Sequence, residues 1–401
     1  MSDKPRAFLF MPYIPFPVDR GTYQRVYHLF VELSKAYDVD LACLQEDSER
    51  DMAPFVAHTR RRLAIPFQNA PWQKLFPERL LNPLPTTVQH WQVDGVLQAL
   101  QEFVDDEDYE RVIFIDLVLW PYIKEIFPQH PHIVMDRSRV DWLFQTEELN
   151  TLPLGLRDRL LRKENLRKIA RLEREAYAAI VGMIVCGWDD RDFLQKHLGV
   201  SEKIFVLANG FNEVYFDADA HPRQLTPAPS FLFCGALDYS PNVDAINWFA
   251  EAIWPLVHAA MPEAIWRIIG KSPDARSEAW ARLEGVDLVG EVPDVRPYYQ
   301  SSWAQVVPLR IGGGTRLKIV ESLGMRCPVV STTLGAQGLD LPPEESILLA
   351  DEPQTFADAL IRVLQDCELR QSLESNGLKV VQENYRWEQL GRKLTTYLKA
   401  L

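Results

Sequence analysis

Short apolar runs alternate with amphipathic helical patterns along nearly the whole chain, and one polar, proline-bearing stretch splits the alternation into two series. This rhythm constrains the fold more than any other feature, because strands separated by helices pair in parallel and bury both faces of their sheet. The fold class it predicts is α/β. In the first series, strands are expected at Ala7–Met11, Val39–Leu44, Leu63–Phe67, Val112–Asp116, Ile133–Asp136, Ile180–Cys186 and Ile204–Leu207. Helices are expected over Thr22–Ala36, Val88–Val104, Arg157–Ala178 and Asp189–His197. The Pro-, Trp- and Leu-rich text between Pro66 and Pro85 reads as a non-repetitive excursion, either an acceptor-contacting insertion or a structural cap.

The break runs from Asp217 to Ser230 and contains His221-Pro222 and Pro227-Ala228-Pro229, the signature of a linker. After it, strands are expected at Phe231–Cys234, Ile265–Ile269, Val286–Val289, Ala304–Pro308, Val329–Ser331 and Ile347–Leu349. Helices there include Val243–Ala260, Thr315–Gly324 and a final Arg386–Leu401. At 401 residues the chain is too long for one core. The division expected is a doubly wound domain over 1–205, a linker over 206–230, a second doubly wound domain over 231–375, and a segment 376–401 that crosses back to the first. In such sheets ligands bind beyond the carboxyl ends of the strands.

The densest chemistry lies in Pro308-Leu309-Arg310-Ile311-Gly312-Gly313-Gly314-Thr315-Arg316-Leu317-Lys318-Ile319-Val320-Glu321. A strand ends, three glycines follow, and a helix opens near Thr315. Glycines let the backbone approach a ligand, and a helix start offers unpaired N–H groups and a positive dipole end. Arg316 and Lys318 put cations where that dipole disfavours them unless an anion is bound. A diphosphate is the natural anion, and Glu321, further along the helix, can accept hydrogen bonds from ribose hydroxyls. A plain glycine turn beside a solvated helix is the competing reading. No Gly-Lys-Ser/Thr follows the glycines, which excludes a Walker phosphate loop, and Gly-x-Gly-x-x-Gly after a strand is absent as well.

Charge and cysteine usage narrow the classes. The net charge of -13 opposes a nucleic-acid coat. The five cysteines are scattered, without disulfide or zinc spacing, and read as free thiols in a reducing compartment. No stretch reaches the ~18 apolar residues of a membrane span, and the short apolar run after Arg6 is not a signal peptide, so a cytoplasmic location is expected. Asp105-Asp106-Glu107-Asp108 precedes a strand and reads as a solvated loop, not a metal site. Residues 157–174 carry eight cations and three acids, and their leucines recur near helical spacing. This basic amphipathic helix either packs its leucines on the first domain or makes a peripheral contact with an anionic membrane.

Arg310–Glu321, with Pro328-Val329-Val330-Ser331-Thr332 and Gly335-Ala336-Gln337-Gly338-Leu339, resembles the donor-site block of family 4 glycosyltransferases. These are retaining sugar transferases of the GT-B fold, two Rossmann-like domains facing across a cleft. Further stretches are similar in the expected order: Pro15-Phe16-Pro17 with Gly21, Asn209-Gly210-Phe211-Asn212, Phe233-Cys234-Gly235 with Pro241-Asn242-Val243-Asp244, Ile269-Gly270-Lys271, and Val289–Val295. In detail the chain resembles the bacterial exopolysaccharide branch that carries GGGTRLK.

The resemblance implies a nucleotide-sugar substrate, no separate cofactor, no metal, and a glycan or lipid-linked acceptor. Glu321 would hold the ribose, and Gly312, Gly313, Gly314 and Thr315 would cradle the diphosphate. Arg316 and Lys318 would neutralise the leaving nucleotide, while Gly235, Lys271 and Val292 would line the donor pocket. On the acceptor side, Arg20-Gly21-Thr22 would face the cleft, or simply form a turn before the helix. Three positions depart from the family's pattern. Gly313 stands where a first glutamate is common, and Ala236-Leu237-Asp238 follow Gly235 in place of a basic pair, leaving Arg310 to share the phosphate charge with Arg316 and Lys318. Asp136-Arg137-Ser138-Arg139 replaces a histidine, so Asp136 either orients a sugar or caps a helix. Another GT-B activity such as a nucleotide-sugar epimerase, or a non-catalytic sugar-nucleotide binder, are the alternative functions.

Overall fold

The computed structural model describes residues 4–18, 21–46, 50–68, 81–151, 154–199, 202–273, 275–311 and 316–401. The chain forms two compact units, one of residues 1–207 with 390–401 and the other of 208–389. Each unit is built on one parallel sheet.

The first sheet comprises β1 (Arg6–Met11), β2 (Asp38–Gln45), β3 (Arg61–Pro66), β4 (Arg111–Ile115), β5 (Ile133–Asp136), β6 (Gly182–Val185) and β7 (Ile204–Val206) in the order β3-β2-β1-β4-β5-β6-β7. The second comprises β8 (Ser230–Cys234), β9 (Ile265–Ile269), β10 (Val286–Gly290), β11 (Ala304–Val307), β12 (Val329–Ser331) and β13 (Leu348–Leu349) in the order β10-β9-β8-β11-β12-β13. Every strand lies within two residues of its sequence expectation. The winding reverses between β1 and β4 and again between β8 and β11. Ligands of doubly wound sheets bind at such reversals, beyond the carboxyl ends of the strands.

Strands β1, β4 and β5 are buried on both faces, as their continuous apolar text requires. Phe8, Phe10, Val112, Phe114 and Met135 form the first core with Ile169, Leu172 and Ala176 of the Leu156–Ala179 helix. The second core gathers Phe231, Phe233, Trp266, Ile268, Val306 and Val330 with Phe249 and Phe356.

Two helices differ from expectation for identifiable reasons. Val88–Val104 is not continuous: it divides into Thr86–Gln89 and Val96–Val104. Between them the Tyr122 hydroxyl donates to the Trp91 carbonyl at 2.7 Å and accepts from the Val93 N–H at 2.8 Å, replacing helical partners. Val243–Ala260 extends back to Ser240 and widens by a π-turn over Phe249–Ile253, just before Pro255, which has no N–H to give the preceding turn. The final helix, Trp387–Ala400, packs its last turns on the first unit. There Arg111 donates to the Leu398 carbonyl at 2.9 Å, the Tyr397 hydroxyl donates to the Lys203 carbonyl at 2.9 Å, and the Phe205 and Tyr397 rings stack at 4.4 Å. Among the described residues no helix is long and apolar enough to cross a membrane.

Candidate functional site

In the second unit, the loops after β8 and β11 flank the winding reversal. Gly312, Gly313, Gly314 and Thr315 of the glycine run lie outside the described residues, as does Arg20 in the first unit. The chain resumes at Arg316, which precedes the Leu317–Gly324 helix. Lys318 and Glu321 sit three residues apart, hence on neighbouring positions of one helix face.

The half-buried Lys318 ammonium reaches across to the end of β8. It donates to Asn242 Oδ1 at 3.0 Å and lies 4.5 Å from the centre of the Phe233 ring. Asn242 is itself fixed, its amide donating to the Ala236 carbonyl at 2.8 Å. Burial lowers the Lys318 pKa to about 8, with the Arg316 charge acting in the same direction and Glu321 opposing. A bound anion would restore what the ammonium lost on leaving water. Cys234 lies in the same electrostatic environment: burial pushes its thiol up to about 11, Glu321 adds to the rise and Lys318 resists it.

Gly235 is required here by close approach. A Cβ on it would sit 2.7 Å from the Asn242 amide nitrogen and 2.8 Å from Lys318 Nζ. Gly270 is tighter still, since its Cβ would lie 1.7 Å from the Gly235 carbonyl oxygen. The two glycines let the ends of β8 and β9 nearly touch. The Gly235 N–H donates to the Ile269 carbonyl at 3.0 Å, and Gly270 in turn donates to Gly290 at 2.9 Å.

The structure therefore brings together Gly235, Lys318 and Glu321, and adds Asn242 and Gly270. The sequence pattern around Pro241-Asn242-Val243-Asp244 flagged that stretch without assigning the amide a task. Arg310 stands apart from the group: it forms a two-pronged ion pair with Asp244, at 2.7 and 3.1 Å, and covers the Trp248 ring. Its charge is engaged by a carboxylate. Lys271 is more than half exposed and lies 3.9 Å from Glu291, while Val292 packs against the second core.

The first unit presents a different chemistry at its own reversal. Asp136 ends β5 and is buried against Arg25 of the Gly21–Ala36 helix, with Oδ1 accepting at 2.8 Å from the guanidinium. Arg25 also donates to the Leu207 carbonyl at 2.8 Å. The helix-cap reading of Asp136 fails because the next helix starts only at Asp141. Gly21 is the first helical residue and Thr22 is exposed beside it.

The less buried carboxylate at this sheet end belongs to Asp116, 18% exposed, which directly follows β4 at the position where the sequence places the strand's last residue. Its backbone has φ 64° and ψ 153°, a conformation that costs a non-glycine residue about 1–3 kcal/mol. Asp116 Oδ1 accepts from the Ser138 N–H at 3.0 Å and Oδ2 from the Ser138 hydroxyl at 2.6 Å. Burial raises its pKa to about 6, opposed by Arg137 and Ser138 and assisted by Asp141 and Asp136. Arg137 behind it is fully buried and bonds Glu173 at 2.6 Å.

A raised carboxyl pKa means that the folded state holds its proton more tightly than the unfolded one. Its stabilising contribution is therefore present at low pH and lost as pH rises from about 4 to about 6. Asp116→Asn removes that penalty. We expect it to stabilise the protein by about 1–3 kcal/mol at pH 8 and to have little effect near pH 4. Urea unfolding at the two pH values measures this, and a variant less stable than the parent at pH 8 would contradict it.

The acidic run Asp105–Asp108 lies at the opposite, amino-terminal side of β4. Its Glu107 is tied to Arg60 at 2.7 Å, Arg6 at 3.0 Å and Arg61 at 3.3 Å.

With both sheets and their reversals defined, the class of protein follows: two doubly wound units in series have the GT-B glycosyltransferase fold. Residues 228–366 match the family model described as Glycosyl transferases group 1. A 162-residue segment is 23% identical to an uncharacterised 44.6 kDa protein in the cps region of Klebsiella pneumoniae, covering 38% of this chain and 42% of that protein. The matched segment thus spans less than half of that relative. Sucrose-phosphate synthase from Thermosynechococcus elongatus superposes with a TM-score of 0.72 at 18% identity, over 98% of both chains. HepE of Anabaena, in complex with UDP-glucose, gives a TM-score of 0.65 at 14% identity, over 98% of this chain and 100% of that one. The family match lies wholly within the second unit, and the structural likeness shows a shared fold.

Proposed function

We propose that the chain is a retaining glycosyltransferase that moves a sugar from a nucleoside-diphosphate donor to a glycan or lipid-linked acceptor in polysaccharide assembly. The observation that carries this reading is the Lys318–Asn242–Gly235 cradle at the end of β8, with Glu321 on the same helix face as Lys318. The cradle suits a diphosphate, and a carboxylate one turn along the helix suits the ribose hydroxyls. The likeness to a UDP-glucose-bound protein favours a uridine donor, and the relative from a cps region favours a polysaccharide product.

In the proposed reaction the bond between the anomeric carbon and the leaving phosphate oxygen breaks through an oxocarbenium-like state. The acceptor hydroxyl attacks from the face of departure, and its proton passes to the released phosphate. Lys318 and Arg316 stabilise the charge that develops on that phosphate, a task fixed cations and a helix start can perform without a metal. The Arg310–Asp244 pair favours one second reading, a non-catalytic sugar-nucleotide binder, because it removes a cation from the phosphate site.

Thermal-shift titrations with UDP, GDP and ADP test the donor site, because a ligand that binds only the folded state raises its apparent stability. At least one should bind, and Glu321→Ala should weaken it about 10–100-fold, the worth of hydrogen bonds to a charged group. Binding unchanged in both Glu321→Ala and Lys318→Met would remove the donor assignment. Nucleotide binding without donor cleavage would favour the non-catalytic reading.

A further inference from the structure

The Leu156–Ala179 helix treats its two halves differently. Its second half is anchored by Ile169, Leu172, Ala176 and Tyr177. In its first half, Leu156 and Leu160 are 78% and 60% exposed. Leu160 and Leu161 are adjacent, so they point about 100° apart, and only one can face the core. The helix does not present all its apolar side chains to one packed face: Leu166 and Ile169 pack inward, and Leu156 and Leu160 point to solvent.

The same solvent face continues as a row of cations. Leu156, Leu160, Lys163 and Arg167 follow at steps of four, three and four residues, with Arg159 alongside, all within roughly 100° of the helix circumference. Two neighbouring cations off this face are neutralised, Arg162 by Glu148 at 2.6 Å and Lys168 by Glu164 at 2.5 Å. Among the described residues, Arg159, Lys163 and Arg167 have no ion-pair or side-chain hydrogen-bond partner. An unneutralised basic face on a chain of net charge -13 is complementary to an anionic partner. Two exposed leucines at its head select a partner with an apolar layer beneath its charge.

We propose that this face, Leu156, Arg159, Leu160, Lys163 and Arg167, docks the protein on an anionic lipid surface, the leucines entering the interface and the cations lying among the headgroups. A nucleic-acid backbone would satisfy the cations but leave the leucines in water. The proposal does not depend on the glycosyltransferase reading.

Co-sedimentation of the full chain with vesicles of phosphatidylcholine, with and without 30% phosphatidylglycerol, tests it. The parent is expected to pellet with the anionic vesicles alone, and less so at high salt. Each cation near such a surface contributes about fivefold in partitioning, so Lys163→Glu/Arg167→Glu should reduce binding at least ~20-fold. Leu156→Ser/Leu160→Ser should reduce it about tenfold while leaving the thermal midpoint unchanged, because both side chains are already exposed. No pelleting of the parent, equal binding to neutral vesicles, or insensitivity to both variants would overturn it. So would tighter binding to duplex DNA, or a dimer that the charge reversal dissociates, since either assigns the face to another partner.

Discussion

Arg25→Ala should destabilise the first unit by about 3–5 kcal/mol, the cost of leaving a buried carboxylate without its counter-ion. Arg25 and Asp136 are both almost wholly buried, and the guanidinium bridges the Gly21–Ala36 helix, the end of β5 and the Leu207 carbonyl. Removing it strands Asp136 and the carbonyl together. Replacing the pair by Arg25→Met/Asp136→Leu should restore much of the loss, because both charges then avoid desolvation. With two units, unfolding need not be a single transition, and only the one belonging to the first unit should move. A loss under 1 kcal/mol in Arg25→Ala would show that water or a neighbour solvates Asp136. The contrast with Asp116→Asn, which is expected to stabilise, distinguishes a carboxylate that holds the fold from one that burdens it.

Gly270→Ala should be at least as damaging to the second unit. The added Cβ would lie 1.7 Å from the Gly235 carbonyl oxygen and 2.8 Å from its carbon. Both are backbone atoms, so no rotamer change relieves the overlap. The ends of β8 and β9 must separate, breaking the Gly235–Ile269 hydrogen bond and moving Gly235 away from Lys318 and Asn242. We expect a loss of about 3 kcal/mol or more, with nucleotide binding abolished in whatever protein still folds. A variant that keeps its thermal midpoint and any nucleotide-induced shift would mean that these strand ends are not held together as described.

Much of the architecture was legible because buried parallel strands write themselves as continuous apolar runs, and β1, β4, β5, β8 and β12 do so. Strand order was not legible, since nothing in β4's own text says that it pairs with β1. The same limit applied to carboxylates. Asp116 and Asp136 both follow apolar runs and look alike locally. What separates them is Arg25, 111 residues away from Asp136 in sequence, and the Ser138 bonds to Asp116. Arg310 likewise looked like a free cation until Asp244 and Trp248 folded against it. The donor-side group was more readable because Lys318 and Glu321 share one helix, so spacing alone brings them together.

The return of residues 390–401 to the first unit has a consequence for how the protein is made. The Lys203 carbonyl, the Phe205 ring and the Arg111 guanidinium receive partners that leave the ribosome only after residues 208–389 have been translated. At ~5–20 residues per second, that interval is on the order of 10–40 s. The half of the molecule that is born first is thus completed last. Throughout that interval, β7 and its surroundings present an unsealed flank to the nascent-chain environment.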